Sequence, residues 1–252
     1  MSVADLVTAA QRALLRETAG RLVKRQAKIV DNDIAIAEIV RARTAVKNRQ
    51  PLQRADFEEI AGLAGVEPVV LHAVSDAQAA TASGFDDDGQ MVIVDEPHIF
   101  SAETFHAFDD VNPAVSYPDW VKWDPDRLPP PGWTKHPYAM TLDERWVLWT
   151  NQAQLSFPAA CACLRVGRYQ MLAQGWKDLG YGSAAAVVRR AQMGEREQLD
   201  LLFRFARVHN LIPAFKARDW LALARAYNGP AQAEAFAARM AEAAQKRRRV
   251  YQ

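Results

Sequence analysis

Cysteine is nearly absent from this chain: its 252 residues include only Cys161 and Cys163. Residues two apart on a helix point to roughly opposite sides, so a bridge between them is not expected and a disulfide framework is excluded. A dominant charge is also missing. The formal net charge is +1, which leaves no global field to draw in nucleic acid. The five histidines, His72, His98, His106, His136 and His209, are scattered. No Cys/His spacing suggests a metal, and no cofactor is expected. No uninterrupted apolar run of about 20 residues is present to span a bilayer, and no secretory apolar core opens the sequence. The expectation is a protein made in the cytoplasm without a signal peptide.

What remains is the balance of a globular domain, 50% hydrophobic and 24% charged. The length allows one sizeable core, or a main domain with a smaller helical attachment. Val3, Leu6, Val7, Ala10, Leu14, Leu22 and Val23 recur at helical spacing and predict an amphipathic helix over residues 3–27. A second helical stretch runs from Ile34 to Val46, and Pro51 ends it by disfavouring a helical residue before it. A boundary near residue 52 separates an N-terminal helical extension (1–52) from the main domain (53–252). The apolar stripe of the extension has to be covered, which suggests self-association through residues 3–46.

Short helices follow, one at Asp56–Ile60 and one opened by Gly65-Val66-Glu67-Pro68. Met91-Val92-Ile93-Val94 is a strand, and the Asp88-Gly89 turn before it suggests a small hairpin. A long loop from Asn112 to Pro137 carries Trp120, Trp123 and Trp133. Such tryptophans serve either as a stacking platform or as packing that pins the loop down. Thr141 with Glu144 three residues on forms a capping box, and the chain beyond it reads as helical nearly to its end. The basic run Lys246-Arg247-Arg248-Arg249 closes it, either a solvated helix end or an attractor of anionic polymers. The fold class is α+β, mostly helical, with one small β-hairpin sheet.

Three local features group together. The first is Ala73-Val74-Ser75-Asp76-Ala77-Gln78, followed by Ser83-Gly84-Phe85 and then Glu96-Pro97-His98-Ile99-Phe100. The second is Gly167-Arg168-Tyr169-Gln170, and the third is Tyr227-Asn228-Gly229-Pro230. In order and spacing, from about Asp56 to about Ala244, they resemble the N-acetylmuramidase domain family of phage endolysins, a branch of the lysozyme-like superfamily. The same order of helix end, Gly-x-x-Gln turn and Tyr-Asn-Gly is similar to that of lytic transglycosylases.

The resemblance implies a lysozyme-like domain that grips peptidoglycan glycan strands and hydrolyses β-1,4 bonds between amino sugars. It implies no cofactor, and an action in the periplasm or cell wall after holin-dependent release. By that resemblance the catalytic pair is the acid position at the first helix end and Glu96, with His98, Gly167, Tyr169, Gln170, Tyr227 and Asn228 binding substrate. The Gly167 turn would let backbone approach a sugar. Cleavage needs a proton delivered to the leaving oxygen as oxocarbenium-like charge develops. Relatives place a glutamate at the helix end, and this chain has Gln78; counted from Gly84-Phe85 the position is Ala79. Neither residue donates a proton. The change is either an engineered Glu-to-Gln substitution or a natural loss. A second departure stands at Arg165-Val166, where the family has Ser-Trp. The expectation is an N-acetylmuramidase that is impaired or inactive as written. The alternative is a non-catalytic peptidoglycan-binding or virion structural protein that keeps the cleft. Of the other acids, Asp76 reads as a solvated helix residue, and Glu96 as a second carboxylate or as a structural partner of His98.

Overall fold

A computed structural model describes residues 32–42, 51–79, 81–119, 132–133 and 135–252. The helix expected over residues 3–27, together with Trp120 and Trp123, lies outside the described residues. Residues 32–42, the described part of the second expected helical stretch, form a helix, α1, that packs into the core built by later residues. Its Ile36 and Ile39 are buried, the Ile39 carbonyl accepts a 2.9 Å bond from Gln192 Nε2, and Arg189 pairs with Glu38 at 3.1 Å.

Two helices follow, α2 (Arg54–Gly62) and α3 (Pro68–Gln78). Gln53 and Asp56 cap α2 reciprocally, and Pro68 opens α3 in the first turn, where its missing N–H costs nothing. Val70, Leu71, Ala73, Val74 and Ala77 are all buried. Such all-round apolar character marks a helix inside the domain rather than on its surface. It runs through a cluster built with Phe57, Ile60, Leu202, Phe203, Phe215 and Met240.

The strand expected at Met91–Val94 is observed as β1 (Ile93–Asp95), preceded by a single Phe85–Met91 bridge across the Asp86–Gly89 turn. Its partner was not expected. Antiparallel to β1 runs β2 (Leu164–Val166), which turns through Gly167 into β3 (Met171–Leu172), giving the order β1-β2-β3. The register sets Arg165 opposite Val94 and Leu172. The segment after Thr141 is therefore not continuously helical.

Between β1 and β2 lie α4 (Pro97–Glu103) and α5 (Leu142–Ala162). Thr141 and Glu144 form the expected capping box on α5, and the helix is kinked at Ser156, two residues before Pro158, which removes a helical donor. Trp146, Trp149, Phe100, Ile93 and Leu164 form the second cluster on this side. Trp133 is buried in it, so that member of the long loop is packing. The remaining helices are α6 (Ala184–Met193), α7 (Glu195–Val208), α8 (Ile212–Ala217), α9 (Trp220–Asn228) and α10 (Ala233–Tyr251). Helix α10 packs along α3 and α9. Met171 touches both apolar clusters, and the main cleft opens where they meet.

Candidate functional site

A cleft of about 660 Å³ is walled by the end of α3, the β2–β3 turn, and helices α7, α9 and α10. Gln78, the last residue of α3, stands in it opposite Asn228, the last residue of α9. Gly229, at φ +74°, terminates α9 and turns the chain there. The two side chains form a reciprocal amide pair: Gln78 Nε2 donates to Asn228 Oδ1 at 2.6 Å, and Asn228 Nδ2 donates to Gln78 Oε1 at 3.1 Å. Ala79, the other register for the family acid, lines the same wall. Among the described lining residues Asp178 is the one carboxylate, and it is exposed. The wall therefore places no sheltered acid at the helix end.

The Gly-x-x-Gln turn also faces the cleft. Gln170, held at φ +50°, donates from Nε2 to the Gly167 carbonyl at 2.7 Å, which leaves its buried Oε1 without a partner. A free acceptor of this kind suits an N–H or hydroxyl brought by a ligand. Two expected contacts are already occupied within the protein. The Tyr169 hydroxyl meets Ser75 Oγ at 2.5 Å, and the Tyr227 hydroxyl donates to the Leu202 carbonyl at 3.0 Å. Burial pushes both phenols well above their usual pKa. These tyrosines offer the cleft ring surface rather than hydroxyls. At Gly167 φ is +68°, and a Cβ there would lie 2.3 Å from Gln198 Cδ. A close approach to the Gln198 side chain therefore demands glycine here. The same side chain fills the space beside Gly84, and its Oε1 accepts from the Arg168 backbone at 2.8 Å.

Glu96 and His98 do not line this cleft. They sit with Asp95, Trp133, His136 and Tyr138 in a small adjoining pocket. Glu96 is the N-cap residue of α4, and its side chain is only 4% exposed. Its Oε1 accepts from Arg165 Nε and from the Tyr138 hydroxyl at 2.9 Å, while Oε2 lies 3.6 Å from His98 Nδ1. Burial, reinforced by the charge of Glu96, pushes the Tyr138 phenol up to about 12. Burial, assisted by Arg165, lowers the His98 pKa against the opposing pull of Glu96, which disfavours the imidazolium. Next to it Asp95 is fully buried, accepting from Gln152 Nε2 at 3.0 Å with Cys163 Sγ at 3.6 Å. Loss of solvation, with Glu96 beside it, pushes Asp95 up to about 7. Arg165 belongs to both places: it reaches Glu96 and lines the main cleft.

Asp76 does not line this cleft, and its partly exposed side chain is engaged within the protein. Arg247 grips it with two bonds, Nε to Oδ2 at 2.6 Å and Nη2 to Oδ1 at 3.0 Å. One arginine of the basic tail thus anchors α10 to α3, and Lys246 pairs with Glu242. One wall of the cleft is aromatic. Phe205 lies between His209 (4.1 Å between centroids) and Tyr227 (5.0 Å), and Phe236 completes this wall. Of these residues the sequence singles out only Tyr227 for the site. Among the described residues no cluster of metal-ligating side chains occurs.

The family profile for N-acetylmuramidase matches residues 67–248. A crystal structure of a Burkholderia AP3 phage endolysin superposes with a TM-score of 0.68, covering 82% of this chain and 75% of that one at 24% sequence identity. That likeness speaks for the fold, lysozyme-like and mostly helical. No curated protein matches the chain.

Proposed function

The chain belongs to the N-acetylmuramidase family, and from that premise we propose that its cleft binds peptidoglycan glycan strands without cleaving them at an appreciable rate. The observation that carries this reading is the Gln78–Asn228 amide pair at the end of α3. An amide keeps the shape and the hydrogen bonds of the family's carboxylic acid but has no proton to give the leaving oxygen. General-acid help is worth roughly two to four orders of magnitude in rate. Its loss leaves a site that recognises sugar and stalls at bond breaking.

Three features support recognition. The unpartnered Gln170 Oε1 and the amide pair offer both acceptors and donors for N-acetyl and hydroxyl groups. The Phe205, Tyr227 and Phe236 rings provide the flat apolar surface on which a pyranose face stacks. The place of action is the cell wall, reached after release from the cytoplasm as for an endolysin. Among the described residues no helix is long and apolar enough to cross a membrane.

The test is sedimentation with purified sacculi, combined with a reducing-end assay on the same mixture. The expected result is retention of the protein in the pellet with no release of reducing ends above a heat-treated control. Retention lost in Phe205→Ala and Asn228→Ala would tie it to this cleft. A protein that stays in the supernatant, or one that releases ends at a rate typical of glycosidases, contradicts the proposal.

A further inference from the structure

We propose that Arg165 is a second, independent block on cleavage. It neutralises Glu96 and holds that carboxylate out of the cleft, so that an acid at position 78 alone does not make the site a glycosidase. This rests on the reading that the cleft accepts glycan strands. The geometry is specific. Arg165 sits in the centre strand β2, directly before the Val166-Gly167 step into the turn that carries Gln170. Its Nε binds Glu96 Oε1, an oxygen also held by the Tyr138 hydroxyl, and the Glu96 side chain is 4% exposed against 39% for Arg165. The guanidinium therefore separates the carboxylate from the cleft, which Arg165 lines and Glu96 does not.

The electrostatics oppose the reaction. Breaking a glycosidic bond builds positive charge on the sugar ring, and glycosidases place a second carboxylate to offset it. Here Glu96, the carboxylate the family resemblance assigns to that role, is spent on an ion pair. What lines the cleft instead is Arg165, whose guanidinium cannot be deprotonated to take the carboxylate's place. The arrangement does not oppose ground-state binding, since a glycan strand carries no positive charge on its rings before the bond breaks. A site blocked in this way binds and does not react.

The experiment uses the full chain as the parent, Gln78→Glu, Arg165→Ser, the double variant, and Gln78→Glu with Arg165→Lys. Each is measured for binding to purified sacculi and for release of reducing ends across pH. All should bind. Arg165→Ser should stay inactive, and Gln78→Glu should rise no more than about tenfold above the parent. The double variant should exceed Gln78→Glu by about 100-fold in kcat, the usual weight of one charge-stabilising group. Its pH profile should show two carboxyl limbs instead of one. The Lys variant keeps a cation beside Glu96 and should remain blocked, which a merely structural role for Arg165 would not produce. Because Arg165→Ser leaves a buried carboxylate short of a partner, Arg165→Gln, which keeps a donor without charge, is run beside it. A Gln78→Glu protein as fast as the double variant overturns the proposal, as does a double variant that folds and binds yet stays inert in both the Ser and the Gln forms. Failure of the parent and every variant to bind sacculi overturns the glycan-binding reading itself, and the block with it.

Discussion

Replacing Gln78 by glutamate should destabilise the protein at neutral pH and leave it unchanged near pH 4. The Gln78–Asn228 pair uses one donor and one acceptor from each amide. A protonated carboxylic acid reproduces that pattern, with its O–H in place of Nε2–H. An ionised carboxylate does not, because one of its oxygens then faces Asn228 Oδ1 across the 2.6 Å now spanned by a hydrogen bond. Turning the Asn228 amide over only moves the conflict to the other oxygen. Losing a part-buried bond and opposing two acceptors costs about 1–3 kcal/mol. Gln78 is half-buried, so solvent relieves part of this, and about 1–2 kcal/mol remains. At 1.36 kcal/mol per unit, the new carboxyl titrates about one unit above its unfolded value of roughly 4.3.

The sign follows. Between the unfolded and the folded pKa the native state binds more protons than the unfolded state. Stability relative to the parent therefore falls as pH rises from about 4 to about 6, then levels off. For a chain of this size the plateau corresponds to a melting temperature lower by roughly 2–8 °C. Thermal unfolding of both proteins at pH 4 and pH 7 is the assay, and taking the difference cancels every other titrating group. An equal offset at the two pH values would refute the reciprocal pairing. The same argument makes Asn228 the residue that keeps an acid at position 78 protonated, so Asn228→Ala in the Gln78→Glu background should abolish the pH dependence.

Asp95 is raised from 3.8 to about 7, so its burial weakens the native state increasingly from pH 4 to pH 7, by up to about 4 kcal/mol; Asp95→Asn should match the parent near pH 4 and exceed it at pH 8, as read by urea midpoints. His72 works in the opposite direction, since burial lowers it to about 4 and its contribution is lost as pH falls below about 6.5; each effect must therefore be read as a difference between variants. Deleting residues 1–52 removes buried Ile36 and Ile39 and should cost about 3 kcal/mol or more, whereas an unchanged melting temperature would show that α1 does not stabilise the domain. Gly167→Ala forces a side chain onto φ +68° and into Gln198, and a loss of about 2 kcal/mol or more is expected in chemical unfolding.

Much of this arrangement is legible in the sequence where the signal is local. Pro68 and the Thr141/Glu144 box mark helix starts, because capping is decided within one turn. Gln78, Gln170 and Asn228, three amides that the sequence singles out, line one cleft. The strands β2 and β3 are three and two residues long, too short for any period to show. With β2 unseen, nothing in the sequence could pair Arg165 with Glu96, which is 69 positions away. The departure at Arg165 was visible; its consequence, Glu96 held in a separate pocket, was not. Gly167 illustrates the same limit. A positive φ is suggested by a glycine in a turn, but the neighbour that demands it, Gln198, arrives from α7.

The most direct test of the account is the side-chain NMR of Gln78, Gln170 and Asn228 in the presence of a defined peptidoglycan tetrasaccharide of alternating N-acetylglucosamine and N-acetylmuramic acid. Saturable shifts of all three NH2 signals, with the sugar recovered intact after a day, are the predicted result. Prompt conversion of the tetrasaccharide to disaccharide, or signals that do not move at any concentration, would contradict it.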